Sequence, residues 1–228
     1  MDILQALSNK EIQQWLHPDY RNKKAVEEIK KRFKNSTPFH HIELEHFFDE
    51  KKCANILKAL KKEEFLEKES DLFKFMQTHD LQGTENKTLQ EFRIFLSSEA
   101  FISYMETITE IELKKESIDL SASMYQNTDY LLPHDDQLQG RKIAFMLYLS
   151  TLEAKDGGKL ILYNTKGGKP QEEEKAITPQ CNKCVFFKVC ENSFHEVEEV
   201  ITNKQRITLG GWFHGKHYQP KLLETRQY

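Results

Sequence analysis

The chain has 228 residues with 33 basic and 36 acidic side chains, a formal charge of −3, which excludes a long repeat array and gives no global pull toward nucleic acid or anionic lipid. Hydrophobic residues make up 38% and charged residues 30%, and 15 Phe with 8 Tyr supply bulky side chains for a sizeable core. Asp2, Lys10 and Glu11 interrupt any apolar leader, and the apolar stretch from Ile143 to Leu149 is too short to span a bilayer, so the expectation is a protein of the cytoplasm or nucleus with no membrane partner. Four Cys in a chain of this length do not make a disulfide framework, and free thiols are expected.

The first hundred or so residues read mainly as helix. Ser8-x-x-Glu11 fits a capping box ahead of Ile12, Trp15 and Leu16, for a short helix ending near His17-Pro18. Residues 21–34 carry seven basic and two acidic side chains around an apolar stripe of Ala25, Val26, Ile29 and Phe33, a second helix with a solvated basic face. Asn35-Ser36-Thr37-Pro38 breaks it, and Phe39 to Phe48 alternates loosely enough to be a first strand, with His40, His41 and His46 expected as exposed sheet-face histidines. Asp49 caps a helix whose Cys53, Ile56, Leu57 and Leu60 share a face. Thr88-x-x-Glu91 repeats the capping box before Leu89, Phe92, Ile94 and Phe95, and Phe101, Tyr104, Met105 and Ile108 form another helical stripe.

From Ser117 the pattern changes to short β-forming runs broken by Gly, Pro and Asn: 118–125, 142–149, 159–163, 184–189 and 206–213. Several such strands with no alternating βαβ units predict an α+β fold in which N-terminal helices pack on a jelly roll, the double-stranded β-helix. The domain reading is an N-terminal helical extension over 1–37 and a single jelly-roll domain over 38–228. Gly157-Gly158 and Gly167-Gly168 read as turns or lid hinges, and Glu172-Glu-Glu174 as an exposed loop tip. Cys181-x-x-Cys184 with Cys190 is half a zinc site without a second pair, so structural thiols are expected.

Chemistry concentrates in His134-Asp135-Asp136, where residues two apart on a strand would let His134 and Asp136 face one centre. A second histidine would complete two imidazoles and one carboxylate on one face of a metal, which leaves positions open for a co-substrate and O2. His195 is the first candidate, because Arg206 follows it by 11 residues (206 − 195) and opens a strand that can aim a guanidinium at a carboxylate. His214 and His217 are the second choice. Arg226 lies at a comparable distance from His214, but on a polar, Pro220-containing tail.

The strings YLLPHDDQLQGRKIAFMLYLS, GGKLILYN, VFFKV-x-x-x-SFHEVEEV and RITLGGWFHG, in this order, resemble the catalytic domain of the eukaryotic 2-oxoglutarate- and Fe(II)-dependent ribosomal prolyl hydroxylases (prolyl 3-hydroxylases and 3,4-dihydroxylases) from about Pro38 to Gly215. The resemblance implies a dioxygenase that takes Fe(II), 2-oxoglutarate, O2 and ascorbate and hydroxylates a proline of a small-subunit ribosomal protein, an activity linked to translation. It places the iron on His134, Asp136 and His195, and the distal carboxylate of 2-oxoglutarate on Arg206 and Tyr148. Tyr148 is physically suited, since it shares a strand face with Ala144 and Met146 and alone there offers a polar tip. Members usually carry a second, non-catalytic jelly roll; this chain stops at Tyr228, so the expectation is that the second domain is absent. The alternatives are the same chemistry on a nucleic-acid methyl group or a metabolite, or a non-catalytic binding module. The near-neutral charge favours a peptide over direct nucleic-acid binding.

Overall fold

The computed structural model describes residues 2–138 and 140–217. Six helices, α1 (Ile3–Ser8), α2 (Lys10–Trp15), α3 (Lys23–Asn35), α4 (Glu50–Leu60), α5 (Lys87–Ser97) and α6 (Glu99–Thr109), cover one face of an antiparallel sheet. The strands are β1 (His41–Leu44), β2 (Leu66–Ser70), β3 (Phe73–Gln77), β4 (Leu113–Tyr125), β5 (Tyr130–His134) and β6 (Arg141–Tyr148), followed by β7 (Leu160–Lys166), β8 (Lys169–Ile177), β9 (Cys184–Lys188), β10 (His195–Val197) and β11 (Arg206–Gly215). Their order is β1-β9-β6-β11-β4-β3-β5-β10-β7-β8, with β2 paired to β3. The sheet curls: β3 pairs with β4 through Met76 and Gln77 and with β5 through Phe73 and Lys74, joining a long half (β1, β9, β6, β11, β4) to a short half (β5, β10, β7, β8). This curled half-barrel with helices on its convex side is the expected jelly roll.

Alternation along the central strands explains both layers. On β6, Ile143, Phe145 and Leu147 join the helical core, while Ala144, Met146 and Tyr148 turn to the concave side. On β9, Cys184 and Phe186 face the helices and Val185 and Phe187 face inward. Strands buried on both faces read as unbroken apolar runs, which is why these two were legible. Leu7, Ile12, Trp15, Val26, Ile29 and Phe33 of α1 to α3 enter the same core cluster as Phe145, Phe186 and Phe213 of the sheet.

Several sequence expectations are corrected. Ser8 ends α1 and donates to the Gln5 carbonyl; the cap of α2 is Asn9, whose Oδ1 accepts from the Glu11 amide at 2.8 Å. Asn86, rather than Thr88, caps α5, and Ile94 faces solvent with 62% of its surface exposed. The first strand is only four residues, and its His41 is buried with Nδ1 on the Phe39 carbonyl instead of standing on an exposed face. The β2-β3 hairpin lies inside the stretch expected to be helical, and Glu172 to Glu174 belong to β8 rather than to a loop tip. Asp49 does cap α4, accepting from the Lys52 amide at 3.0 Å. Gly167 and Gly168, both with positive φ, turn the β7-β8 hairpin as expected.

Candidate active site

The concave side encloses a pocket lined from both halves of the sheet, by Tyr125, Ala144, Met146, Arg206, Thr208 and Trp212 on one wall and Leu131, His134, Leu160, His195 and Val197 on the other. His134 ends β5 and His195 opens β10, and the two are direct partners across that antiparallel pair, which brings their ring centroids to 4.2 Å. Asp136 arrives differently from the expected strand alternation. It lies beyond the end of β5 with φ +60°, a left-handed turn that Asp tolerates, and this turn folds its carboxylate back between the imidazoles. Oδ1 is 3.5 Å from His134 Nε2 and Oδ2 is 3.4 Å from His195 Nε2.

The backbone sets the tautomers. His134 Nδ1 lies 2.9 Å from the Leu132 carbonyl and His195 Nδ1 lies 2.8 Å from the Ser193 carbonyl. A carbonyl only accepts, so each Nδ1 carries a proton and each ring turns its Nε2 toward Asp136. Ser193 Oγ, whose single proton is shared between the Cys190 carbonyl at 2.7 Å and the Asp135 carbonyl at 3.1 Å, ties the segment that carries His195 to the one that carries Asp136. Burial pushes the Asp136 carboxyl pKa up, but the His134 and His195 imidazoles prevail and hold it well below the usual carboxylate range. Burial likewise lowers His134, and the hydrogen bond and charge of Asp136 outweigh it to leave the imidazole raised. One donor atom from each of the three residues lies within 4.8 Å of the others, a compact two-nitrogen, one-oxygen face suited to a divalent transition metal.

Arg206 and Tyr148 sit deeper. Arg206 is 1% exposed, its Nε donates to the Gly158 carbonyl at 2.7 Å, and its guanidinium carbon lies 5.1 Å from the ring centroids of both Tyr125 and Tyr148. Burial raises the Tyr148 pKa while the Arg206 charge opposes it, so the phenol keeps its proton and can donate. Among the described residues, Tyr148 Oη and Arg206 Nη2 are buried and have no hydrogen-bond partner. Two converging unsatisfied donors, one of them cationic, are costly unless a ligand oxygen completes them. A dicarboxylate whose other end reaches His134, Asp136 and His195 fits that demand.

The structure therefore brings together all five residues singled out in the sequence. It separates the alternatives: His214 is turned to Asp119 at 3.3 Å and Ser117 Oγ at 3.1 Å, His217 is exposed beside Lys142 and Lys188, and Arg226 lies outside the described residues. The thiols take no part in the metal-ligand cluster; Cys53 and Cys184 are buried, and burial pushes the Cys53 thiol up to about 12. Sequence reasoning missed Gly158 and Trp212. Trp212 donates from Nε1 to Asp136 Oδ2 at 3.0 Å, and counting in twos from Arg206 along β11 would have placed it on the pocket face. Gly158 supplies the carbonyl under Arg206 with φ +70°, and a Cβ there would stand 3.2 Å from Arg206 Cδ.

Residues 120–214 match a family model described as the 2OG-Fe(II) oxygenase superfamily. The chain is 39% identical over 188 residues to prolyl 3-hydroxylase OGFOD1 of Xenopus laevis, a match covering 79% of this chain and 36% of that protein. It is 33% identical over 213 residues to prolyl 3,4-dihydroxylase OGFOD1 of Ostreococcus tauri, covering 84% and 41%. The chain thus spans 36–41% of the length of these curated relatives. Among solved structures, a Pseudomonas putida prolyl-4-hydroxylase superposes with a TM-score of 0.65 at 16% identity, over 82% of this chain and 98% of that one. A prolyl hydroxylase from Trichoplax adhaerens, in complex with a hypoxia inducible factor oxygen degradation domain peptide fragment, gives 0.64 at 14% identity over 86% and 95%. These two likenesses carry the fold.

Proposed function

Residues 120–214 belong to the 2OG-Fe(II) oxygenase superfamily, and from that premise we propose that the chain is the oxygenase part of a prolyl hydroxylase acting on a small-subunit ribosomal protein. The observation that carries the proposal is the convergence of His134, Asp136, His195 and Arg206 in one pocket, with the buried, unpaired Tyr148 side chain 5.1 Å from the Arg206 guanidinium carbon. In this reading His134 Nε2, Asp136 and His195 Nε2 hold Fe(II), and Arg206 and Tyr148 hold the distal carboxylate of 2-oxoglutarate. Bound there, Fe(II) and 2-oxoglutarate supply the activation of O2, with succinate and CO2 as co-products and one oxygen atom entering the substrate.

The chain's own contribution is orientation and shielding. Arg206 forms charge-assisted hydrogen bonds whose direction is fixed by the Gly158 carbonyl on Nε and by the flanking Tyr125 and Tyr148 rings. The Leu132 and Ser193 carbonyls hold a proton on each Nδ1 and so leave Nε2 as the nitrogen that would bind the metal. Phe187, Leu160 and Ala144 line the pocket with apolar surface, which shields the reacting centre. Phe75 of the joining strand β3 and Leu131 of β5 line the same pocket, an apolar surface suited to a prolyl ring.

The prolyl substrate is supported by the names of the relatives at 33–39% identity; the ribosomal protein is supported by the motif resemblance. Ascorbate serves in this reading as the reductant that keeps the iron Fe(II), and a ribosomal substrate implies action in the cytoplasm or nucleus. The test is incubation with Fe(II), 2-oxoglutarate, ascorbate and peptides of a small-subunit ribosomal protein, followed by mass spectrometry and succinate assay. One added oxygen on a proline supports the proposal. Succinate formed without peptide oxidation under every peptide tried refutes the ribosomal substrate and leaves an oxygenase of another substrate; neither product refutes the oxygenase reading.

A further inference from the structure

The carboxylate of Asp136 needs more than its backbone to be held in place. Asp136 stands outside β5 in a left-handed turn, and its side chain projects from a loop rather than from a strand. Two residues from neighbouring strands close on it. Trp212 of β11 donates its indole Nε1–H to Oδ2 at 3.0 Å. Arg141 of β6 lies over the Trp212 ring, its guanidinium carbon 3.3 Å from the ring centroid, and its Nη1 is 3.9 Å from Asp136 Oδ1. The same guanidinium is 3.9 Å from Asp119 on β4, which in turn is 3.3 Å from the buried His214. The three adjacent strands β6, β11 and β4 thus form a stack whose innermost contact is one carboxylate oxygen of the metal-ligand set.

We propose that Trp212 and Arg141 are positioning residues for Asp136. The indole N–H occupies Oδ2, and the guanidinium holds the indole flat and places positive charge beside the carboxylate. Asp136 then offers Oδ1 as a single donor on the His134 side instead of swinging to offer both oxygens. A carboxylate that cannot become bidentate leaves one more position of the metal for co-substrate and O2. Cation–π stacking fixes the indole plane better than packing alone, because Arg141 is anchored at its other edge by Asp119. This inference rests on the metal-site reading above, and outer contacts of this kind commonly change metal affinity by about 10–100-fold.

The experiment uses the whole chain and two probe metals, Mn(II) titrated by electron paramagnetic resonance and Co(II) followed by its visible absorption. Trp212→Phe keeps an aromatic ring under Arg141 and removes only the N–H donor with part of the ring. The expected result is a Mn(II) Kd about tenfold higher and an altered Co(II) band intensity, at a melting temperature close to that of the parent. A folded Trp212→Phe protein that binds Mn(II) within about twofold of the parent with an unchanged Co(II) spectrum overturns the proposal. Arg141→Met is read by the same criteria, with a smaller shift in the same direction, and it decides the matter if Trp212→Phe does not fold. His134→Ala separates the two levels of argument: if it binds Mn(II) as well as the parent does, the metal-site reading itself is wrong. If His134→Ala loses the metal and Trp212→Phe does not, only the positioning role is lost.

Discussion

Tyr148→Phe should move stability and co-substrate affinity in opposite directions. The Tyr148 hydroxyl is fully buried without a partner among the described residues, and an unsatisfied buried hydroxyl costs about 1–3 kcal/mol. Removing it deletes one oxygen from a side chain otherwise packed among Ala144, Val185 and Phe187, so little packing is lost. The ligand-free variant should therefore melt no lower than the parent, and up to about 2–4 °C higher for each kcal/mol relieved in a chain of this size. The same hydroxyl, facing a carboxylate beside Arg206, would contribute a charge-assisted hydrogen bond of about 1.5–3 kcal/mol. At about 1.4 kcal/mol per tenfold, its loss should weaken 2-oxoglutarate binding by about 10- to 100-fold. The assays are thermal melting without ligand and calorimetric titration of 2-oxoglutarate with Mn(II) in place of Fe(II). A variant that is destabilised by more than about 1 kcal/mol and binds 2-oxoglutarate like the parent would show that Tyr148 is an ordinary core aromatic and refute the reasoning.

Mn(II) at a hundredfold over its Kd should stabilise the parent by about 2.7 kcal/mol, or roughly 5–10 °C in melting temperature, whereas Asp136→Ala should show no such rise and no 2-oxoglutarate turnover. Gly158→Ala should cost about 1–3 kcal/mol by chemical denaturation, because a Cβ at φ +70° meets Leu152 and Val200 methyls at 3.0 Å, and its 2-oxoglutarate affinity should fall as Arg206 is displaced. Asp156 accepts from the Glu153 amide and from Lys204 Nζ at 2.7 Å, and Lys204 first, then that amide, holds its carboxyl below the usual range. A depressed folded pKa contributes stability that is fully present above the unfolded value of about 3.9 and lost as pH falls through the lower folded value. Asp156→Asn should therefore be less stable than the parent at neutral pH, and the gap should close in acid-titration melts below about pH 4.

The helices α3 and α4 were legible because each buries one stripe at helical spacing, and α6 because its Phe101, Tyr104, Met105 and Ile108 keep that spacing within a helix buried nearly all round. The caps of α2 and α5 were not. Ser8 satisfies the Ser-x-x-Glu template, but α1 already runs through it, so its hydroxyl is spent on the Gln5 carbonyl and the adjacent Asn9 takes over. The strands β6 and β9 were read because both of their faces are buried. Of those left unread, β2 and β8 are the outer strands of their hairpins, solvated along nearly their whole length, with Glu67, Lys68 and Glu69 on one and Glu172 to Lys175 on the other. Edge strands carry such charges because charges discourage pairing with another chain, and that removes the alternation by which a strand is recognised.

The site was legible through its chemistry more than through its geometry. His134 and Asp136 were paired on the assumption that residues two apart share a strand face, yet Asp136 is not in the strand at all. A fully extended His134-Asp135-Asp136 would separate the two Cα atoms by roughly 6.6 Å, two residues at about 3.3 Å each, and send both side chains outward in parallel. The observed turn at φ +60° instead curls the short carboxylate back to within 3.5 Å of both imidazoles. The spacing worked because Asp, unlike a β-branched residue, tolerates the left-handed region, so a short acidic side chain just past a strand end can meet a histidine on its last residue. Arg206, by contrast, obeys strand alternation, and Thr208, Gly210 and Trp212 follow it along the pocket wall in steps of two. What no local pattern could carry is the partner of each: Gly158, 48 residues before Arg206, and Trp212, 76 residues after Asp136, reach the site only because the curled sheet folds the intervening strands between them. Spacing names the groups that do chemistry; the groups that aim them are assigned by topology, which is why Trp212 needs the structure to be seen and a metal titration to be tested.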